Sequence, residues 1–188
     1  GAGKTTLMRV LQGLLVPDQG EVKVRDKAVR FKRASDGIAH RIGMVSQHYS
    51  ILPELTCLQN LMLGCEPGSL LNTREAKVRA QQLANKMGFA FDWDAHAAGL
   101  SPAQAQKLEI LKLLWRNAEI MILDEPTAML SPADSDALFE SLKVLASEGA
   151  TIILVTHRLS EVMEHCEAIT VLRGGKKVND RRVDQTSV

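Results

Sequence analysis

Apolar positions along the chain shift between helical and alternating spacing, and the shifts mark the elements. Leu7, Val10, Leu11, Leu14 and Leu15 recur at helical spacing and stop before Val16-Pro17-Asp18, so the pattern predicts a helix over residues 5–15. Residues 21–31 alternate charged with apolar side chains, as in an exposed hairpin. Ile42, Gly43, Met44, Val45 and Ser46 then read as a short buried strand ending at Gln47.

Between His48 and Arg116 the texture becomes helical, which predicts an inserted helical subdomain. Asn72-Thr73-Arg74-Glu75 has the form of a capping box, opening a helix that closes at Gly88. Ser101-Pro102-Ala103-Gln104 is a second such start, with Pro at the first helical position, followed by an inner side of Leu108, Leu111, Leu114 and Trp115. Two apolar β-type runs, residues 120–123 and 151–155, flank a helix capped by Ser131 and carrying Leu138, Leu142 and Leu145. Strand, helix, strand implies a parallel sheet. Residues 168–172 give one more strand before the Gly174-Gly175 turn, and the chain shows neither internal repeats nor low-complexity segments.

Composition narrows the class without naming a chemistry. With 188 residues, 45% hydrophobic and 24% charged, the chain fits one folded core with room for a subdomain. Its 23 basic against 22 acidic residues give a net charge of +1, so no whole-chain field draws it to nucleic acid or an anionic membrane. Three cysteines without CxxC spacing argue against a disulfide framework or a zinc site and fit a reducing, cytosolic compartment. No apolar run is long enough to span a bilayer.

The chemistry lies in short polar stretches at the element ends. Gly1-Ala2-Gly3-Lys4-Thr5-Thr6 supplies the end of a GxxxxGK[ST] loop, whose backbone N–H groups surround phosphate oxygens, whose Lys reaches the terminal phosphates and whose hydroxyl holds Mg²⁺. Short glycine-rich strings also occur as simple turns, so the remaining motifs decide. Asp124 and Glu125 follow an apolar strand, at the carboxyl end where ligands of open α/β sheets bind. One carboxylate of such a pair can hold Mg²⁺ while its neighbour orients or deprotonates an attacking water. The alternative is an acidic turn before Pro126.

Gln47, Leu100-Ser101-Pro102-Ala103-Gln104, Leu123-Asp124-Glu125-Pro126-Thr127 and Thr156-His157, in this order, resemble the ATP-binding subunits of ABC transporters over essentially the whole chain. The resemblance implies an α/β P-loop NTPase core of mainly parallel sheet, residues 1–47 and 116–188, with a helical subdomain carrying the signature motif at 48–115. It implies ATP and Mg²⁺ as ligands: Gly1, Ala2, Gly3, Lys4, Thr5 and Thr6 as the phosphate-binding stretch, and Thr5, Gln47 and Asp124 on the metal. Glu125 would be the catalytic base, His157 the switch residue at the γ-phosphate, and Gln47 the residue coupling metal and water to the subdomain. Ser101 and Gln104 would face a nucleotide held by a second ATPase half. His40, His48, His96 and His165 have no such support, the methionines read as core filler, and the basic residues between Arg25 and Arg33 read as a solvated hairpin face.

Two positions depart from the family pattern. Ala103 stands where glycine lets the signature helix approach the opposite nucleotide, and Ser131 stands where many relatives have Asp. The first predicts a non-identical or tandem-fused partner half, with one slow site. The stretches LDEPTAMLSP, THRLSEV and AITVLRGGKKV, with GMVSQH upstream, look most like the branch importing simple sugars or nucleosides. Permease subunits, a solute-binding protein and a peripheral place on the cytoplasmic membrane face follow from that resemblance, with no nucleic acid expected. Two alternatives stay open: a soluble ABC ATPase acting on ribosomes or DNA, and a half that binds ATP but turns it over weakly. A chain starting inside its own phosphate loop is expected to be a fragment that binds nucleotide poorly alone.

Overall fold

A computed structural model describes residues 2–47, 49–64 and 72–185. Helix α1 (Lys4–Leu11) leads through a hairpin, β1 (Val22–Val24) and β2 (Lys27–Val29), to α2 (Ala34–Ala39) and β3 (Ile42–Val45). Helices α3 (Cys57–Met62), α4 (Thr73–Lys86) and α5 (Pro102–Trp115) follow. Then come β4 (Ile120–Asp124), α6 (Pro132–Ser147), β5 (Thr151–Val155), α7 (Leu159–His165), β6 (Ala168–Arg173) and β7 (Lys176–Arg182).

The central sheet has the order β3-β4-β5 and is parallel throughout, Val45 pairing with Leu123 and Asp124 with Val155. Parallel neighbours need crossovers, and α6 supplies the one from β4 to β5. β4 is buried on both faces: Met121 and Leu123 enter the large core shared with α3–α6, while Ile122 enters a smaller one with Met8, Phe31, Ile42 and Val155. The antiparallel pairs β1-β2 and β6-β7 form separate two-stranded sheets.

Several elements differ from the sequence expectation. The first helix ends at Leu11, because Gly13 adopts φ +76 and sits so close to Phe31 and Arg33 that a Cβ would lie 2.9 Å from each. Leu14 and Leu15 therefore leave the helix and are 54% and 40% exposed, while Met8 is its buried residue. Asn72 caps α4 through the N–H of Arg74 at 3.0 Å, not through a capping box with Glu75. α4 does end at Gly88, φ +66, and lays Ala76, Ala80 and Ala84 against its neighbours.

The capping box at Ser101 is formed: its hydroxyl accepts the Gln104 N–H at 3.3 Å, and the Gln104 side chain accepts the Ser101 N–H at 2.9 Å. α5 is buried around most of its circumference rather than along one stripe, with Ile110 and Leu113 inside as well as Leu108, Leu111 and Trp115; Leu114 is half-buried. α6 keeps the expected face of Leu138, Leu142 and Leu145, joined by Phe139.

Candidate functional site

Three strand or helix ends converge at the carboxyl edge of the parallel sheet. Register fixes this: Val45, Leu123 and Leu154 lie side by side, so Gln47, the Asp124-Glu125 pair and Thr156-His157 all emerge from one edge. Asp124 is the last residue of β4 and only 9% exposed. Burial raises its carboxyl above the ordinary carboxylate range and Glu125 raises it further, while the Lys4 ammonium pulls it back down. Lys4, at the start of α1, is thus within electrostatic reach of an acid on β4.

The loop before α1 is shaped by its glycine. Gly3 adopts φ +91 as the N-cap, a left-handed conformation that costs a residue with Cβ far more. Leu7 donates to the Gly3 carbonyl, so the N–H groups of Lys4, Thr5 and Thr6 have no helical acceptor, as in any first turn. With Lys4 beside them they form a site for an anion. The β6-β7 turn braces the loop: Gly175 donates to the Ala2 carbonyl at 3.2 Å, and a Cβ on Gly3 would meet Gly175 Cα at 3.3 Å.

Glu125 also has a left-handed backbone, φ +51, and its N–H donates to the Val155 carbonyl at 2.8 Å. A non-glycine residue held there stores strain that the surroundings must offset. Its side chain, 14% exposed, meets Nδ1 of the largely exposed His157 at 2.9 Å. With Glu125 ionised, Nδ1–H donates and Nε2 is left as an acceptor.

Behind this pair lies a hub that the sequence reading did not find. Thr127 Oγ1 donates to Glu161 Oε1 at 2.6 Å, and Thr156 Oγ1 donates to Glu161 Oε2 at 3.0 Å. Arg158 Nη1 reaches Glu161 at 3.2 Å, and the Arg158 N–H donates to Thr156 Oγ1 at 3.0 Å. Thr127 and Glu161 both sit in the stretches LDEPTAMLSP and THRLSEV, but neither has a role in the sequence reading, and α7, which carries Glu161, is not predicted by the apolar pattern.

Of the other candidates, Gln47 is exposed two residues past the end of β3, and Gly1 lies outside the described residues. Ser101 and Gln104 bond to each other, and neither shares a hydrogen bond or ion pair with the β4 edge among the described residues. No group of three or more His, Cys, Asp or Glu side chains that could hold a metal occurs among the described residues. A single buried carboxylate with a hydroxyl is the donor set of a cation that keeps water and phosphate ligands. The raised Asp124 carboxyl fits this, since an added cation would offset the charge that burial disfavours.

Comparisons with known proteins bear on the family and the fold. The ABC transporter family model matches residues 1–128. The nucleoside import ATP-binding protein NupA of Lactococcus lactis subsp. cremoris (strain MG1363) is 41% identical over 181 residues, covering 95% of this chain and 36% of that protein. The ribose import ATP-binding protein RbsA of Bacillus subtilis (strain 168) is 36% identical over 189 residues, covering 99% of this chain and 38% of that protein. The chain therefore spans little more than a third of the length of these relatives. Among solved structures, a nucleotide-free ATP-binding cassette from an ABC transporter superposes with a TM-score of 0.83 at 27% identity, covering 96% of this chain and 76% of that one. The family model covers more than half of the chain, and the fold is that of an ATP-binding cassette: the chain belongs to the ABC transporter family.

Proposed function

We propose that the chain is the ATP-binding and ATP-hydrolysing part of an importer of simple sugars or nucleosides. One observation carries the reading: Lys4 on α1 acts electrostatically on Asp124 at the end of β4, next to the hydrogen-bonded Glu125–His157 pair. The import names of NupA and RbsA support the substrate class. Residues 1–47 and 116–188 serve as the nucleotide-binding core, and 48–115 relay its motion to permease subunits. No described helix is long and apolar enough to cross a membrane; in this reading the permease subunits hold the chain at the cytoplasmic face.

In this reading the first-turn N–H groups and Lys4 hold the phosphates. Thr5, Asp124 and Gln47 supply the oxygen donors for Mg²⁺, which when bound neutralises phosphate charge. Glu125 takes the proton of the attacking water at its carboxylate, and His157 fixes that carboxylate through Nδ1. A neutral His157 bonded this way offers only an acceptor at Nε2, so contact with a phosphate oxygen requires the imidazolium or release of Glu125. Glu125→Gln in the full-length protein with its partners should lower the hydrolysis rate about 10²–10⁴-fold while MgATP binding persists. Undiminished turnover would refute the assignment.

A second feature concerns pairing. Ser101 and the N-terminus of α5 suit a phosphate presented by another ATPase half, but Ala103 places a methyl group in the first turn where the family pattern has glycine. The two sites of the dimer are then unequal, which fits a non-identical or fused second half. Ala103→Gly in the assembled complex should raise ATP-driven dimerisation or turnover several-fold; unchanged values of both would exclude the asymmetry.

A further inference from the structure

We infer that Glu161 is a positioning residue for hydrolysis, holding the loop of Glu125 and the loop of His157 in one register. The inference rests on the catalytic reading of those two residues.

Glu161 is 8% exposed, although it lies in the first turn of a seven-residue surface helix. A buried carboxylate is retained only when its lone pairs are met, and here the donors come from two separate loops. Thr127, 1% exposed and two residues beyond Glu125, binds one oxygen. Thr156, the residue before His157, binds the other, while Arg158, the residue after His157, reaches the oxygen bound by Thr127. Among the described residues the His157 side chain is anchored by its contact with Glu125 alone, and it is 70% exposed. The residues on either side of it are fixed; the imidazole is aimed by them.

The same two loops are joined at the main chain, where the Glu125 N–H meets the Val155 carbonyl. That bond sets the spacing of β4 and β5 but leaves rotation of the loop ends open. The Glu161 bridge lies one step further out and removes that freedom. It links groups two residues after the base and one residue either side of the histidine, so a change in one loop is passed to the other. Because Glu161 shares no hydrogen bond or ion pair with Asp124 or the α1 loop among the described residues, its loss should leave nucleotide binding intact. Misplacing a reacting group by about 1 Å can cost about 10²-fold in rate.

The test uses the full-length protein assembled with its partner half, with Glu161→Ala, Glu161→Gln and Glu125→Gln measured side by side. Glu161→Ala should lower kcat about 10²-fold, with KM and Kd for MgATP within about twofold of wild type. Glu161→Gln keeps an oxygen for the Thr127 hydroxyl and can donate to Thr156 Oγ1, so it should recover to within about tenfold of wild type. If Glu161→Ala does not fold, Thr127→Val, which keeps shape and removes one donor, should still lower kcat about tenfold at unchanged affinity. An unchanged kcat in either variant, or a loss of MgATP affinity equal to the loss of rate, would overturn the inference while Glu125-dependent hydrolysis stands. Hydrolysis indifferent to Glu125→Gln would instead refute the catalytic reading and the inference with it.

Discussion

Glu109 and Lys112 sit one turn apart on α5, and each side chain is 7% exposed. Lys112 Nζ donates to Glu109 Oε1 at 3.1 Å and to the Ser50 carbonyl at 3.0 Å, and the Ser50 N–H donates to the same Glu109 oxygen at 2.8 Å. Two charges are thus buried together, tying the segment after Gln47 to the helix that begins at Ser101. Removing one partner leaves the other charge buried and unpaired, at a cost of about 3–5 kcal/mol. Lys112→Met should therefore destabilise by about that much in urea titration of the full-length protein. The double variant Glu109→Leu/Lys112→Met should lose less, because the exposed Ser50 main chain can turn to water. A double variant less stable than the single would contradict this account.

At the scale of elements, α2 shows a packing term overriding a propensity term. Gly37 lies inside this helix, where Ala is favoured by about 1 kcal/mol. A Cβ there would fall 2.3 Å from the Gln12 carbonyl oxygen, main chain that cannot swing aside. Overpacking of this kind costs about 1–3 kcal/mol, so Gly37→Ala should lower thermal stability despite its helical gain; a raised Tm would show that α1 and α2 can separate freely. α2 also shows why parts of the fold were hidden in the sequence. Its start is held by Asp36, which accepts the N–H groups of Lys32 and Arg33, a polar signal without an apolar stripe. β7 reads KKVNDRR, is exposed at nearly every position, and is a strand only because the Gly174-Gly175 turn folds it onto β6. α7 hides for the opposite reason: its buried residue is Glu161, where an apolar pattern predicts solvent. By contrast β4 and the acid pair were legible, since a continuous apolar run ending in carboxylates is what a central parallel strand and its ligand edge require. The phosphate loop, the Ser101 box and the α6 face were legible for the same reason, each being local.

Over the whole molecule, three protons on weak acids, besides that of Asp124, are held more tightly by the folded chain than by the unfolded one. The Tyr49 phenol is raised by burial and then by Glu109, while its hydroxyl donates to the Pro102 carbonyl at 3.2 Å. The Cys57 thiol, fully enclosed at the start of α3, is raised by burial and then by Asp92, and the Cys166 thiol beyond α7 by burial and then by Glu161. Each folded pKa lies above its unfolded counterpart, so the stabilisation these groups give is complete below the unfolded values and is lost as pH climbs through the folded ones. The unfolded values lie at about 8.5 for cysteine and about 10 for tyrosine. Stability should therefore fall as pH rises above about 8.5, by at most about 1.4 kcal/mol per pH unit for each group involved. Urea midpoints across that range measure the slope, and the double variant Tyr49→Phe/Cys166→Val should flatten it. The same burial should make Cys57 inert to a thiol reagent at pH 7.5 until the protein is unfolded. Rapid native-state labelling of Cys57 would mean that α3 opens on its own, and the shared core of α3, α4 and α5 would then not behave as one cooperative unit.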